Sequence, residues 1–367
     1  MRRARGPYSR GMTVDHAARR ARLAAALPEL SADAVLVTKP VNVRYLTGLA
    51  SSNAALLVRV GEAGAVLATD VRYIETARRI CPDVEIVQER DVAGALAGRA
   101  AGARLAVEAH HMPVAEFHRL GDARGATLVP VSAPVERLRV VKDEAEIDLL
   151  RTACAITDQA FADVLPVIRP GVTEREIARA LETRMAELGA DKPAFDSIVA
   201  AGPNGAVPHH SPGDRPVRRG DLVTMDFGAL SAGYHADMTR TVAVGEPAGW
   251  QRDLYDLVRE AQRAGRHALR RGASAHDVDA AAREVIAAAG HAGDFGHGLG
   301  HGVGLEIHED PFLGPDKPGR IEDRVPITVE PGVYLPGKGG VRIEDTLVAR
   351  DDRPELLTKT TKELLVL

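Results

Sequence analysis

Cysteine is nearly absent from this chain. Only Cys81 and Cys154 occur, well apart, so no disulfide framework staples the fold. There is no apolar run of about 18 or more residues, which excludes an ordinary membrane-spanning helix. Charge of one sign is lacking too. Lys plus Arg total 47 against 51 Asp plus Glu, a formal charge of -4, so neither a nucleic-acid-binding surface nor an acidic tail is indicated. The expected partners are small molecules or peptides. No internal repeat or low-complexity segment is present. The basic start, Met1 to Arg10, lacks the apolar centre of a signal peptide and reads as an extension ahead of a start at Met12. These absences together lead us to expect a soluble, cytoplasmic protein.

What is present suggests two domains, because 367 residues are long for a single core. An amphipathic helix is predicted over about residues 15–27. Short apolar runs follow at 34–38, 54–60, 65–68, 84–87, 104–107 and 126–129, with helical segments such as 71–79 and 91–99 between them. This alternation implies a small α/β domain ending near Arg139. Its polar residues form no catalytic constellation, and the adjacent His110 and His111 read as a solvated turn rather than a metal site.

From Asp143 to about Ile168, one apolar face marks a long helix, which Pro170-Gly171 is expected to end. Thr173 and Glu176 then have the form of a capping box opening a second helix to about Leu188. Strands are expected at 197–201, 222–227 and 234–244, and helices at 250–271 and 275–289. Ser274 is the N-cap of the second of these helices. Strands near 327–329, 341–349 and 363–367 close the chain.

The stretch from Gly296 to Glu309 is unusual. His297, His301 and His308 stand among five glycines. Each glycine inside a helix costs about 1 kcal/mol relative to alanine, so the stretch is no ordinary helix. It reads as backbone kept slim for close approach of imidazoles and a ligand.

Carboxylates supply the partners. Asp226 lies in the otherwise apolar strand Leu222-Val223-Thr224-Met225-Asp226-Phe227, where an ionised group must be paired or metal-bound. Asp237 follows on the next strand, and a turn at 231–233 would bring the two side by side. Glu330 and Glu344 end further apolar strands, whereas alternation points Asp345 away. A lone acid at a strand end is usually a surface residue or a cap; the set is what matters. Four carboxylates with His301 carry too much negative charge for one divalent ion, and two ions would balance it. That is the argument for a two-metal centre with a bridging water or hydroxide. Oxygen-dominated ligation with one imidazole suits Mn(II), Co(II) or Fe(II), with a catalytic Zn(II) also admissible, rather than a structural zinc site.

In this order and with these neighbours, Asp226, Asp237, His301, Glu330 and Glu344 resemble the pita-bread metallopeptidases, in particular the Xaa-Pro dipeptidase (prolidase) and aminopeptidase P branch. The motifs are Met-Asp-Phe-Gly, Asp-Met-Thr-Arg-Thr, the Gly-His run ending Ile-His-Glu, Glu-Pro-Gly-Val-Tyr and Gly-Val-Arg-Ile-Glu-Asp. Residues 43–48 and 70–73 are weaker marks of a creatinase-type domain. The resemblance implies an α+β fold, with a creatinase-type α/β domain over 12–139 and a pita-bread catalytic domain over 143–367.

It also implies roles. Asp226 and the shared Asp237 would hold one ion, and Asp237, His301, Glu330 and Glu344 the other. His308 would contact substrate and steady the tetrahedral intermediate. His209 would be a second active-site histidine, next to His210 where the family commonly has Gly. His297 would support or line the substrate pocket. Arg342 would pair with a carboxylate and orient a ligand, and Thr239 could bond to a ligand carboxylate. The implied reaction is attack of a metal-bridging hydroxide on the bond before proline, with Glu330 moving the proton and His308 stabilising the oxyanion. A homodimer is the implied assembly. Dipeptidase and aminopeptidase stay open. So do another substrate (a different aminopeptidase or an amidinohydrolase) and a non-enzymatic peptide-binding module, although such modules typically lose ligands and none is lost here.

Overall fold

The structure, a computed structural model, describes residues 14–61 and 64–367; the basic start and Met12 lie outside the described residues. The chain divides into two compact units, one through Arg139 and one from Val140 to Leu367. Among the described residues no helix is long and apolar enough to cross a membrane.

In the first unit, α1 (His16–Ala26) is capped by the Asp15 side chain. A single six-stranded sheet follows, built from β1 (Ala34–Val37), β2 (Ala54–Arg59), β3 (Ala65–Thr69), β4 (Glu85–Gln88), β5 (Arg104–Glu108) and β6 (Thr127–Val131). Its order is β4-β3-β2-β1-β5-β6, with β1-β2 and β2-β3 antiparallel and the other pairs parallel. The helices are α2 (Pro40–Thr47), α3 (Ile74–Ile80), α4 (Val92–Gly98), α5 (Val114–Arg124) and α6 (Glu136–Arg139). The apolar pattern did not mark α2. It is bounded by Pro40 at its start and by Gly48 in the left-handed region at its end (φ 80°). Leu36, Leu57, Leu96 and Leu105 form the core.

The second unit opens with α7 (Glu144–Val164), closed at its N-terminus by an Asp143–Glu146 capping box. It ends before Ile168 because Leu165–Val167 tightens into a 3-10 turn around Pro166, which has no N–H to continue the helix. The Thr173–Glu176 capping box opens α8 (Glu174–Glu187) as expected. Then come β7 (Lys192–Pro193), β8 (Ile198–Ala201), β9 (Leu222–Phe227), β10 (Ala229–Ser231), β11 (Tyr234–His235) and β12 (Met238–Ala243). The expected strand 234–244 is thus two strands, broken at Ala236-Asp237. Next are α9 (Gly249–Ala268), α10 (Ala275–Ala288), β13 (Gly300–Gly302), β14 (Glu309–Leu313), β15 (Pro326–Val329), β16 (Gly332–Leu335), β17 (Gly339–Arg342), β18 (Asp345–Val348) and β19 (Glu355–Leu356). The strand expected at 341–349 is likewise two. That at 363–367 reduces to a bridge between Val366 and Ala243.

Two helix-backed sheets organise this unit. Val199, Val223, Met225, Phe227 and Val242 of the β12-β9-β8 sheet pack on α7 and α8 through Phe161, Ile177 and Leu181. Ile327, Val329 and Leu347 of the β14-β13-β15-β18-β19 sheet pack on α9 and α10 through Val258, Val278 and Ala282. Cys81 and Cys154 are free and buried, one in each unit.

Candidate active site

Strand alternation aims the carboxylates. In β9, Val223, Met225 and Phe227 turn to the α7–α8 core, so Thr224 and Asp226 face the other way. Met238 and Val242 do the same in β12, leaving Thr239 and Thr241 on the face of Asp226. Val341 and Ile343 belong to the α9–α10 core, which leaves Arg342 and Glu344 on the opposite side. Thr239 pairs with Asp226 across the β9-β12 ladder, and Asp237 sits just ahead of β12. The hairpin between β10 and β11 has positive φ at Ala232 (50°) and Gly233 (89°), as its two-residue turn requires.

A cleft of about 1210 Å³ is lined by Asp226, Asp237, His301, Glu330 and Glu344 together. Oxygens of Asp237 and Glu344 and a ring nitrogen of His301 all lie within 4.8 Å of one another. The His301 Nε2 is 3.6 Å from Asp237 Oδ2 and 3.4 Å from Glu330 Oε1. Asp226 stands at the other side, held by Arg342.

Electrostatics at this site are unbalanced. Burial, then repulsion from Glu344, Asp226 and Glu330, pushes the Asp237 carboxyl well above its ordinary range. Burial, Glu330 and Asp226 do the same to Glu344. Glu330 is half-buried; desolvation would raise it, but its bond to His301 pulls it down, and Glu330 in turn raises His301 against the effect of burial. Asp226 Oδ1 and Glu344 Oε1 are buried with no hydrogen-bond partner. Such groups are costly unless a cation meets them, so the donor set fits divalent metal ions.

The remaining predicted residues fall around this cluster. Arg342 gives Nη2 to Asp226 Oδ2 at 2.7 Å, Nε to Thr239 Oγ1 at 3.1 Å and Nη1 to Tyr334 Oη at 2.9 Å. Thr239 donates to Glu344 Oε2 at 2.7 Å, a bond to a carboxylate of the cluster itself. His308 packs edge-on to His301 with ring centroids 4.4 Å apart. Burial, then His301 and His209, lower its pKa. His209 is exposed on the cleft wall. His297 Nε2 meets Tyr334 Oη at 2.9 Å.

Some placements differ from expectation. Asp345 does point away from the cluster, but into the interior. It is fully buried with Arg240 (2.8 Å), Lys362 and Gln262. His210 also lines the cleft, but its Nε2 is bound to Glu174 at 2.8 Å. His110 and His111 lie in an exposed turn, with His110 bonded to Glu136 at 2.8 Å. Glu108, His110 and Glu136 offer atoms within 4.8 Å of one another, but the Lys39 ammonium already meets Glu136 at 3.1 Å. Sequence reasoning missed Tyr334, which joins His297 to Arg342, although the Glu-Pro-Gly-Val-Tyr motif contains it. It also missed the buried pair Lys142 Nζ–Glu309 Oε2 (2.7 Å) directly after His308; no local signal marks that pair.

Comparison with known proteins agrees with this geometry. Residues 148–351 match Metallopeptidase family M24, and residues 19–141 match the Creatinase/Prolidase N-terminal domain. The Xaa-Pro dipeptidase of Pyrococcus furiosus is 35% identical over 349 residues, which are 92% of this chain and 97% of that protein. The structure of an Xaa-Pro dipeptidase from Bacillus anthracis superposes with TM-score 0.93 at 37% identity, covering 96% of this chain and all of that one (100%). An X-Pro aminopeptidase from Thermotoga maritima superposes with TM-score 0.87 at 34% identity, over 94% of this chain and 100% of that one. The second unit has the pita-bread fold and the first the creatinase-type fold. A carboxylate-rich cleft with the His301 imidazole among its donors, and matches across both units, place the chain in metallopeptidase family M24.

Proposed function

We propose that this metallopeptidase hydrolyses the bond before proline, in Xaa-Pro dipeptides or at peptide N-termini, with two divalent ions. The observation that carries the proposal is the convergence of five donors, two of their oxygens unpartnered, beside His308 in one cleft. The preference for proline is supported by the names of the relatives, which include both a dipeptidase and an aminopeptidase. In this reading residues 12–139 are the creatinase-type domain and 143–367 the catalytic one.

Asp226 and Asp237 would hold one ion, and Asp237, His301, Glu330 and Glu344 the other. Bound there, the ions supply Lewis acidity toward the scissile carbonyl and toward water. Mn(II) is the ion we assign, since oxygens outnumber nitrogen among the donors; Co(II), Fe(II) and Zn(II) accept the same set.

The chain's own groups do the remaining work. Glu330 would take the proton of the attacking water and pass it to the leaving imino nitrogen. His308, packed edge-on to His301, would donate an imidazole N–H to the developing oxyanion. Arg342 holds Asp226 in place, and Thr239 holds Glu344. His209 and His297, which line the cleft, would face the substrate. The proposed working form is a cytoplasmic homodimer.

The test is hydrolysis of Ala-Pro and Ala-Pro-Ala by metal-stripped protein, with and without added Mn(II) or Co(II). Metal-dependent cleavage of the dipeptide is expected from a prolidase, and cleavage of the tripeptide alone from an aminopeptidase P. No cleavage of either, with two ions verified bound, would point to a different substrate. No cleavage and no bound metal would return the chain to a binding role.

A further inference from the structure

Glu174 looks in sequence like an ordinary first-turn acid of α8, yet its side chain is completely buried. Capping does not explain it, because Thr173 and Glu176 already close the N-terminus of that helix. Its carboxylate instead takes four donors. Oε1 accepts from Ala201 N and Asn204 Nδ2, each at 2.8 Å. Oε2 accepts from Gly213 N at 3.0 Å and meets His210 Nε2 at 2.8 Å. A carboxylate has about four acceptor positions, so its capacity is filled. Two of the donors lie where the loop 201–213 begins and two where it ends.

The other face of the loop is gripped as well. Gly205 lies so close to β17 that a Cβ at Gly340 would stand 2.3 Å from the Gly205 carbonyl oxygen. Arg342, already bonded to Asp226, gives Nη1 to Pro208 O at 3.3 Å. Pro208-His209 is therefore the part of the loop held between two anchors, with His209 exposed on the cleft wall and His210, at its edge, bound to Glu174.

We propose that Glu174 and His210 are positioning residues, a buried clamp that closes the loop 201–213 and thereby presents His209 to the cleft. Resting on the function proposed above, the inference deepens it by giving one histidine of the pair to the ligand and its neighbour to the scaffold. Burial by itself would raise the Glu174 carboxyl; the backbone amide of Ala201, His210, Asn204 and the amide of Gly213 outweigh it and hold the group below its ordinary range. Charge-assisted bonds of this kind are stronger than those a neutral amide would offer.

The experiment compares wild type with Glu174→Gln, His210→Ala, His210→Gln, His209→Ala and the double variant Glu174→Gln/His209→Ala. Metal content, hydrogen exchange of the full chain and kcat/KM on Ala-Pro with Mn(II) are measured. Glu174→Gln should keep its metal, speed exchange of the 202–213 amides by about tenfold, and lower kcat/KM by on the order of 10- to 100-fold. His210→Ala should loosen the same amides, and His210→Gln, which keeps a donor, should restore them. The double variant should be no slower than His209→Ala alone, because Glu174 acts through that ring. Independent, multiplying losses would overturn the link to His209, as would loss of metal in Glu174→Gln. Unchanged exchange in Glu174→Gln would overturn the clamp. If wild type cleaves no Xaa-Pro peptide, the proposed function fails, and the exchange comparison still decides the clamp.

Discussion

Arg342 and Asp226 form a buried ion pair, Nη2 to Oδ2 at 2.7 Å, between strands far apart in the chain. The same guanidinium reaches Thr239, Tyr334 and the Pro208 carbonyl, so one side chain ties a cluster carboxylate to three neighbouring segments. Its planar fork of donors suits this; a lysine has no equivalent geometry.

Replacing that fork is therefore informative. Arg342→Met should lower metal affinity or activity by roughly 10- to 100-fold, the usual cost of losing a partner that orients a ligand. Metal titration followed by calorimetry checks it, and wild-type affinity with wild-type turnover would refute the orienting role.

His308 is expected to act on the substrate rather than on the ions. His308→Ala should keep its metal content and lose on the order of 10² or more in kcat, as expected for removing an oxyanion donor. Elemental analysis beside steady-state kinetics separates the two; an unchanged kcat would take His308 out of the mechanism.

Lys142 and Glu309 are 2% and 6% exposed, which leaves little water to compensate a broken pair. Lys142→Met would leave the buried Glu309 carboxylate without the Lys142 counter-charge, at a cost of about 3–5 kcal/mol. Chemical denaturation reads this directly. The double variant Lys142→Met/Glu309→Leu should recover much of the loss; failure to recover would show that the lysine acts otherwise.

Acid sensitivity of the first unit should trace in part to Glu136. Burial alone would raise its carboxyl, but Asn42, its own backbone amide and His110 hold it at about 2. A folded-state pKa below the unfolded value stabilises at higher pH, in full above about pH 4.5, and is lost as pH falls toward about 2. Glu136→Gln should therefore melt below wild type near neutral pH, with the gap closing on acidification. A gap that is constant or widens in acid would contradict the assignment.

Much of this site is legible in the sequence because its donors sit in long motifs on apolar strands, where alternation says which way each side chain points. Asp226 in Met-Asp-Phe-Gly and Glu344 in Arg-Ile-Glu-Asp illustrate this. Asp345 shows its limit: alternation turned it from the cluster correctly, but only packing reveals Arg240, Lys362 and Gln262 waiting for it. Glu174 was hidden for the same reason, since nothing local distinguishes a solvated first-turn acid from one covered by a loop some 30 residues later. Helix ends suffered from local chemistry: Pro166 stopped α7 ahead of the Pro170-Gly171 signal.

The adjacent acids Glu344 and Asp345 look in opposite directions, one to the cleft and one into the protein. One consequence concerns which genetic changes this segment can absorb. Point substitutions act on one side at a time, but inserting or deleting a single codon between Arg342 and Thr346 would exchange the two faces. It would withdraw a carboxylate from the cleft and leave Arg240 facing the wrong neighbour. Replacement is therefore the change this segment can absorb, and a change of length here would cost it both partnerships at once.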